Sequence, residues 1–175
     1  AHTGDSRWVT GEAARRHVHE TRNRLSGIMV GVGTVLADDP LLTCRIDGGR
    51  NPVRIVCDSH ARTPLGSQLV QTANEIPTYV AVTARSERTA ALEEKGVRIL
   101  VCGETDGHVD LTDLMQQLGS AGINGILLEG GSSLAFSALK AGIVRRVQAY
   151  IAPKLIGGAD AKSPVGGEGL AKMAD

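Results

Sequence analysis

Short apolar runs rich in Val and Ile recur along the chain between stretches of helical periodicity. The runs at residues 27–32, 53–58, 78–83, 98–102, 124–129 and 147–152 predict six strands. Between them the pattern predicts helices over residues 10–22, 86–95, 111–118 and 132–141. Thr10 reads as the N-cap of the first, with Glu12, Ala13 and Ala14 in its opening turn, and Gly96, Gly119 and Gly142 end the other three. Strands alternating with helices predict an α/β fold with a mostly parallel central sheet flanked by helices. The glycine-bearing stretches 47–51 and 157–169 read as surface loops rather than domain linkers, so residues 1–175 form one domain.

Charge narrows the partners. The 19 basic and 19 acidic side chains cancel, leaving no basic footprint for nucleic acid and no polybasic stripe for a membrane. Small molecules or other protein subunits remain, and apolar strands with balanced charge fit a homodimer. No apolar run reaches the roughly 18 residues of a membrane span, and no signal segment opens the chain. Cys44, Cys57 and Cys102 are odd in number and widely spaced, without a C-x-x-C pair, which argues against a disulfide framework or zinc site and fits a reducing cytoplasm. No metal is expected from the histidines: His17 and His19 are two apart on a helix and face different sides. No serine sits in a G-x-S-x-G elbow.

Candidate chemistry gathers where strands end. Leu127-Leu128-Glu129-Gly130-Gly131-Ser132-Ser133-Leu134 reads as a buried strand that ends on a carboxylate and breaks at two glycines before a helix. Adjacent glycines let a backbone approach a ligand, and a helix start favours phosphate. The alternative is a plain strand-to-helix turn with a solvated Glu129. Gly31-Val32-Gly33-Thr34 closes an earlier strand and Asp38-Asp39-Pro40 ends the short segment after it. By itself this is a tight turn, but two glycine-rich turns at one edge of a sheet would form a crevice. Asp58-Ser59 and Thr83-Ala84-Arg85-Ser86 end two further strands at that edge, and Arg85 is either a fork for a 2′-phosphate or a solvated loop arginine. Arg22 and Arg45 flank the Gly31 turn in sequence, either as holders of an anionic substrate group or as surface cations.

Taken together, Gly4-Asp5-Ser6-Arg7-Trp8-Val9-Thr10, the stretch from Val30 through Gly31-Val32-Gly33-Thr34 to Asp38-Asp39-Pro40, Leu128-Glu129-Gly130-Gly131-Ser132, and Ala152-Pro153-Lys154-Leu155-Ile156-Gly157-Gly158 resemble the reductase domain of the bacterial bifunctional riboflavin biosynthesis deaminase/reductase. The resemblance runs nearly end to end. It implies a dihydrofolate-reductase-like fold and NADPH-dependent reduction of 5-amino-6-(5-phosphoribosylamino)uracil to its ribitylamino form. By position, it implies cofactor contacts at Trp8, Thr34, Asp38, Ser59, Gly131, Ser132, Ser133, Leu134, Ala135, Phe136 and Ser137. It implies substrate contacts at Ser6, Arg22, Leu42, Arg45 and Glu129. Hydride would pass to the sugar C1′ with the ribose opened to an imine-like form. Glu129 and Asp38 are the carboxylates placed nearest that event, as catalytic groups or as groups that position hydroxyls and the carboxamide.

Family members also carry an upstream strand with a lysine implicated in the reaction, closing strands, and a deaminase half with H-x-E and P-C-x-x-C zinc ligands. The chain from Ala1 to Asp175 shows none of these, which reads as a fragment that can be inactive by itself, with a fused deaminase domain outside it left open. Two other readings compete: a dihydrofolate-reductase-like enzyme of another substrate, and a nucleotide-binding module without catalysis.

Overall fold

The structure, a computed structural model, describes residues 9–155, 157 and 163–172. Its centre is a five-stranded parallel sheet of β1 (Gly27–Gly31), β2 (Val53–Cys57), β3 (Thr78–Val82), β4 (Arg98–Val101) and β7 (Ile126–Leu128), in the order β4-β3-β2-β1-β7. The short strands β5 (Glu104–Thr105) and β6 (His108–Val109) form a separate antiparallel hairpin. Five of the six predicted strands are present, slightly trimmed. The sixth, at residues 147–152, forms no strand: Val147 and Ile151 are 70% and 92% exposed, and the segment is tied to the first helix through Tyr150 rather than to a sheet neighbour.

Helices cover both faces of the sheet. Ile28, Val30, Val56, Val80 and Val82 pack with Val35, Leu69 and Leu92 on one face, which carries α2 (Val32–Asp38), the single turn α3 (Gln68–Gln71) and α4 (Glu87–Glu94). Met29, Ile55, Tyr79 and Ala81 pack with Leu114, Leu118 and Ala138 on the other, which carries α5 (Leu111–Ser120) and α6 (Ser132–Lys140). Alternation along each strand sends successive side chains to opposite cores.

Local chemistry sets the helix ends. In α1 (Glu12–Arg24) the cap is Gly11, not Thr10, whose carbonyl instead accepts a hydrogen bond from the Arg15 guanidinium at 2.8 Å. Ser86 forms a capping box with Thr89 at α4, and Asp110 accepts from the Thr112 and Asp113 amides at α5. The latter helix runs through Gly119 to Ser120, and the left-handed turn falls on Gly122, with φ +81°.

One buried side chain organises the end of the sheet opposite the strand tips. Arg54 is fully buried and donates to the carbonyls of Leu41, Leu69, Thr72 and Ile76 and to the hydroxyls of Thr72 and Thr78. Burial pushes its guanidinium down to about 10, which leaves it a cation at neutral pH.

Candidate functional site

The chain leaves β1 toward β2 on one side and returns as β7 on the other, so the strand order reverses between β1 and β7. In an open α/β sheet that reversal opens a crevice at the carboxyl ends of the two strands. Both glycine-rich turns lie there. The Glu129 amide donates to the Met29 carbonyl at 2.9 Å, extending the ladder to the last residue before the turn. Gly130 and Gly131 then take φ of +78° and +83° and turn the chain into α6. A Cβ at Gly130 would lie 3.2 Å from the Thr34 Oγ1, and one at Gly131 would lie 3.4 Å from the Leu134 Cβ and 3.7 Å from the Gly31 nitrogen. The two turns therefore lie in contact, and the positive φ at both positions is what favours glycine there.

Around this contact stand most of the predicted cofactor positions. Thr34 and Asp38 are four residues apart on α2, on one face of the helix, and Asp38 is exposed. Gly131 caps α6 without a side-chain hydrogen bond, so the amides of Ser132, Ser133 and Leu134 lack intrahelical acceptors. Ala135, Phe136 and Ser137 follow in the next turn. Phe136 lies under Gly167, and the Gly166 amide donates to the Ser132 carbonyl at 3.0 Å, which lays the segment 163–172 on the start of α6. Ser59 follows β2 at the same sheet edge; its carbonyl accepts from Thr83, and its hydroxyl accepts from the Val109 amide at 3.0 Å. Beneath it, the buried Asp58 carboxylate accepts from the Thr63 amide and hydroxyl, both at 2.7 Å. Trp8 and Ser6 lie outside the described residues.

A second group forms beside the crevice, where α1 meets the loop after α2. Arg22 forks onto Glu129, with Nε on Oε1 at 2.9 Å and Nη2 on Oε2 at 2.5 Å, and its Nη1 donates to the Thr43 carbonyl at 2.8 Å. The pair is largely sheltered from solvent, at 13% and 24% exposure. A charge-assisted fork of this kind is worth about 1.5–3 kcal/mol and fixes the carboxylate's orientation. An open cleft of 850 Å³ lies against it, lined by Arg15, His19, Arg22, Arg45 and Ile46 among others. Leu42 is 4% exposed with φ +54°, so its side chain belongs to the core and only its main chain is available to a ligand.

The sequence passed over three neighbours. His19 accepts a hydrogen bond on Nδ1 from the Arg45 amide at 3.2 Å, while burial, followed by the Arg22 and Arg45 charges, pushes its imidazole down from the ordinary value. Thr43 holds Arg22 through its carbonyl. Tyr150 meets His17 Nδ1 at 2.9 Å with the rings edge to face, and burial, then the Glu129 charge, raises its hydroxyl. Beside that link lies an open pocket of 420 Å³ lined by Thr10, Gly11, Ala14, Tyr150, Pro153 and Lys154 among others. The helical spacing of His19 and Arg22, three residues apart on one face, was the available signal. Arg85 stands apart from both groups: it pairs with Glu93 at 2.8 and 3.0 Å. Among the described residues no group of His, Cys, Asp and Glu is arranged to hold a metal ion, and no helix is long and apolar enough to cross a membrane.

A parallel sheet with glycine turns meeting at its switch point places the protein among the α/β proteins of dihydrofolate-reductase-like fold. The sequence model of the RibD C-terminal domain matches residues 1–175, and the chain belongs to that family. It is 54% identical over 172 residues to a riboflavin biosynthesis protein RibD of Actinobacillus pleuropneumoniae, covering 98% of this chain and 46% of the relative. The chain thus spans about half the length of that relative. It is 45% identical over 178 residues to a 2,5-diamino-6-ribosylamino-4(3H)-pyrimidinone 5′-phosphate reductase of Methanothermobacter thermautotrophicus, covering 99% of this chain and 80% of that protein. The solved structure of Acinetobacter baumannii RibD superposes with a TM-score of 0.80 at 28% identity, over 98% of this chain and 46% of that one.

Proposed function

We propose that this domain reduces the ribosyl group of 5-amino-6-(5-phosphoribosylamino)uracil to the ribitylamino product in riboflavin biosynthesis, with NADPH as the reductant. The observation that carries the reading is the meeting of Thr34 with Gly130 and Gly131 at the sheet's switch point, directly beside the Arg22–Glu129 fork. The residues present fit a dinucleotide. A cradle of glycines at positive φ adjoins the amides at the start of α6 that lack intrahelical acceptors, which suits a pyrophosphate. Thr34, Asp38, Ser59 and Gly131 through Ser137 would hold the cofactor. When bound, NADPH supplies the hydride for the sugar carbon.

The chain's own groups bind and orient. Glu129, its oxygens fixed by Arg22, offers acceptors for sugar hydroxyls in one orientation and aligns the sugar carbon with the crevice. Arg45 supplies a cationic fork to the 5′-phosphate in the cleft, with the charge of the Glu129-bound Arg22 and the Leu42 main chain alongside. Asp38, on the Thr34 face of α2, positions the carboxamide or a hydroxyl. The domain works in the cytoplasm as a homodimer within a longer protein that carries a deaminase domain. The exposed Val147, Ile151 and Leu155 are apolar surface that a second copy would cover, which light scattering will read as twice the monomer mass.

The relative from Methanothermobacter supports a second substrate, the diamino pyrimidinone that has not yet lost its amine. Purified protein mixed with NADPH and either pyrimidine phosphate separates the two. Cofactor oxidation with the uracil compound is expected, oxidation only with the diamino compound would transfer the assignment to it, and oxidation with neither would reject the reductase reading. Replacing NADPH by NADH should slow the reaction, and equal rates would remove the preference for the phosphorylated cofactor.

A further inference from the structure

The cleft beside Glu129 contains a histidine whose hydrogen bonding differs from that of its cationic neighbours. His19 and Arg22 lie three residues apart on α1 and share a face. Arg22 is already engaged three times, by both oxygens of Glu129 and by the Thr43 carbonyl. Arg45 lies on a loop held next to it by the Arg22 guanidinium on the Thr43 carbonyl, the Cys44 amide on Asn51, the Cys44 thiol on the His19 carbonyl, and the Arg45 amide on the His19 ring. Of these, only the contact to the His19 ring is made by the Arg45 amide itself. We propose that His19 is a positioning residue for Arg45, its bare Nδ1 anchoring the Arg45 amide so that the loop presents a cation to the substrate phosphate.

The chemistry follows from the direction of one hydrogen bond. An amide N–H can be accepted by Nδ1 only when that nitrogen carries no proton, so the ring must be neutral with its proton on Nε2. The surroundings favour that form. Burial and the charges of Arg22 and Arg45 oppose a third cation, outweighing Glu129 and the Thr43 carbonyl, which pull the other way. A charged His19 would present a second donor to the Arg45 amide and release the loop. The neutral ring therefore adds no charge to the cleft and instead fixes where an existing charge stands.

This inference rests on the reading of Arg45 as a phosphate-binding residue, and the experiment separates the two. His19→Asn places an acceptor oxygen where Nδ1 stood, whereas His19→Gln removes the acceptor at that position and carries its amide further out. KM for the pyrimidine phosphate should rise roughly three- to tenfold in His19→Gln, stay close to the unaltered value in His19→Asn, and leave kcat unchanged in both, because a phosphate contact is made equally in ground and transition states. Arg45→Ala should raise KM roughly tenfold or more, and adding His19→Gln to it should cost nothing further. If Arg45→Ala raises KM and His19→Gln does not, the positioning role is wrong and the phosphate reading stands. If Arg45→Ala leaves KM unaltered, both fall. Nitrogen chemical shifts of the His19 ring in the unaltered protein give a second test that needs no variant to fold: a proton on Nε2 is expected, and a proton on Nδ1 overturns the proposal.

Discussion

Glu129 stands at the last ladder position of the sheet's switch strand, and both its oxygens are taken by one guanidinium. Glu129→Gln keeps the shape but replaces an acceptor pair with one acceptor and one donor, which turns an N–H toward Arg22. Turnover should drop by about tenfold or more, the equivalent of losing ~1.5–3 kcal/mol of oriented charge, with NADPH affinity retained. Steady-state kinetics beside a cofactor titration will decide, and unchanged turnover would remove Glu129 from the reaction. Arg54 poses a different question. Its donors reach four carbonyls and two hydroxyls from separate segments, a fan that a lysine's single ammonium cannot reproduce. Arg54→Lys should therefore cost about 3 kcal/mol or more through stranded buried carbonyls. Urea unfolding will measure it, and a midpoint within error of the unaltered protein would count against that account.

At the scale of elements, the parallel strands were legible because buried strands leave dense Val and Ile runs, as in Val53–Cys57 and Thr78–Val82. The missed α2 begins at Gly31-Val32-Gly33, where glycines at a strand's end read as a turn; only the packing of Val32 and Val35 on the sheet makes the segment helical. The β5–β6 hairpin did carry a signal that went unread, Asp106-Gly107, and both residues adopt positive φ there, at +52° and +76°. The run at residues 147–152 misled in the other direction, since its apolar positions are exposed. In the site, the glycine turns and Glu129 showed in sequence because they punctuate strand ends. His19, Thr43 and Tyr150 did not, because their partners are remote in the chain or are main-chain atoms. Gly131→Val bears on the turn itself. At φ +83° a β-branched residue is strained, and its side chain would enter the space beside Leu134 and Gly31. NADPH affinity should fall at least about tenfold while the far-ultraviolet spectrum is retained, and normal affinity would argue against the cradle.

For the molecule as a whole, two thiols, the buried Cys102 and the half-buried Cys57, set an alkaline limit. Burial pushes Cys57 up to about 12 and Cys102 up to about 11, with nearby acidic groups adding to the rise. Folded, these thiols keep their protons at pH values where the unfolded chain has lost them. Their contribution is thus complete below the ordinary thiol range near 9 and is lost as pH climbs from there toward 11 and 12. Stability should fall between pH 8 and 10 by at most about 1.4 kcal/mol per unit for each thiol, partly offset toward pH 10 as Arg54 starts to lose its proton in the folded state. Denaturant midpoints across that interval, compared with Cys57→Ala, will show a shallower decline in the variant, and identical slopes would contradict the assignment. The same two thiols should resist alkylation in the folded protein at neutral pH.

The two halves of the glycine cradle come from opposite ends of the domain's sequence and meet only where β7 lies against β1. That strand pair acts as a clasp: fraying β7 would part the two turns and, with them, the proposed nucleotide site. Occupancy and closure are then thermodynamically linked, so NADPH should slow amide exchange at Ile126–Leu128 more than at β3 or β4.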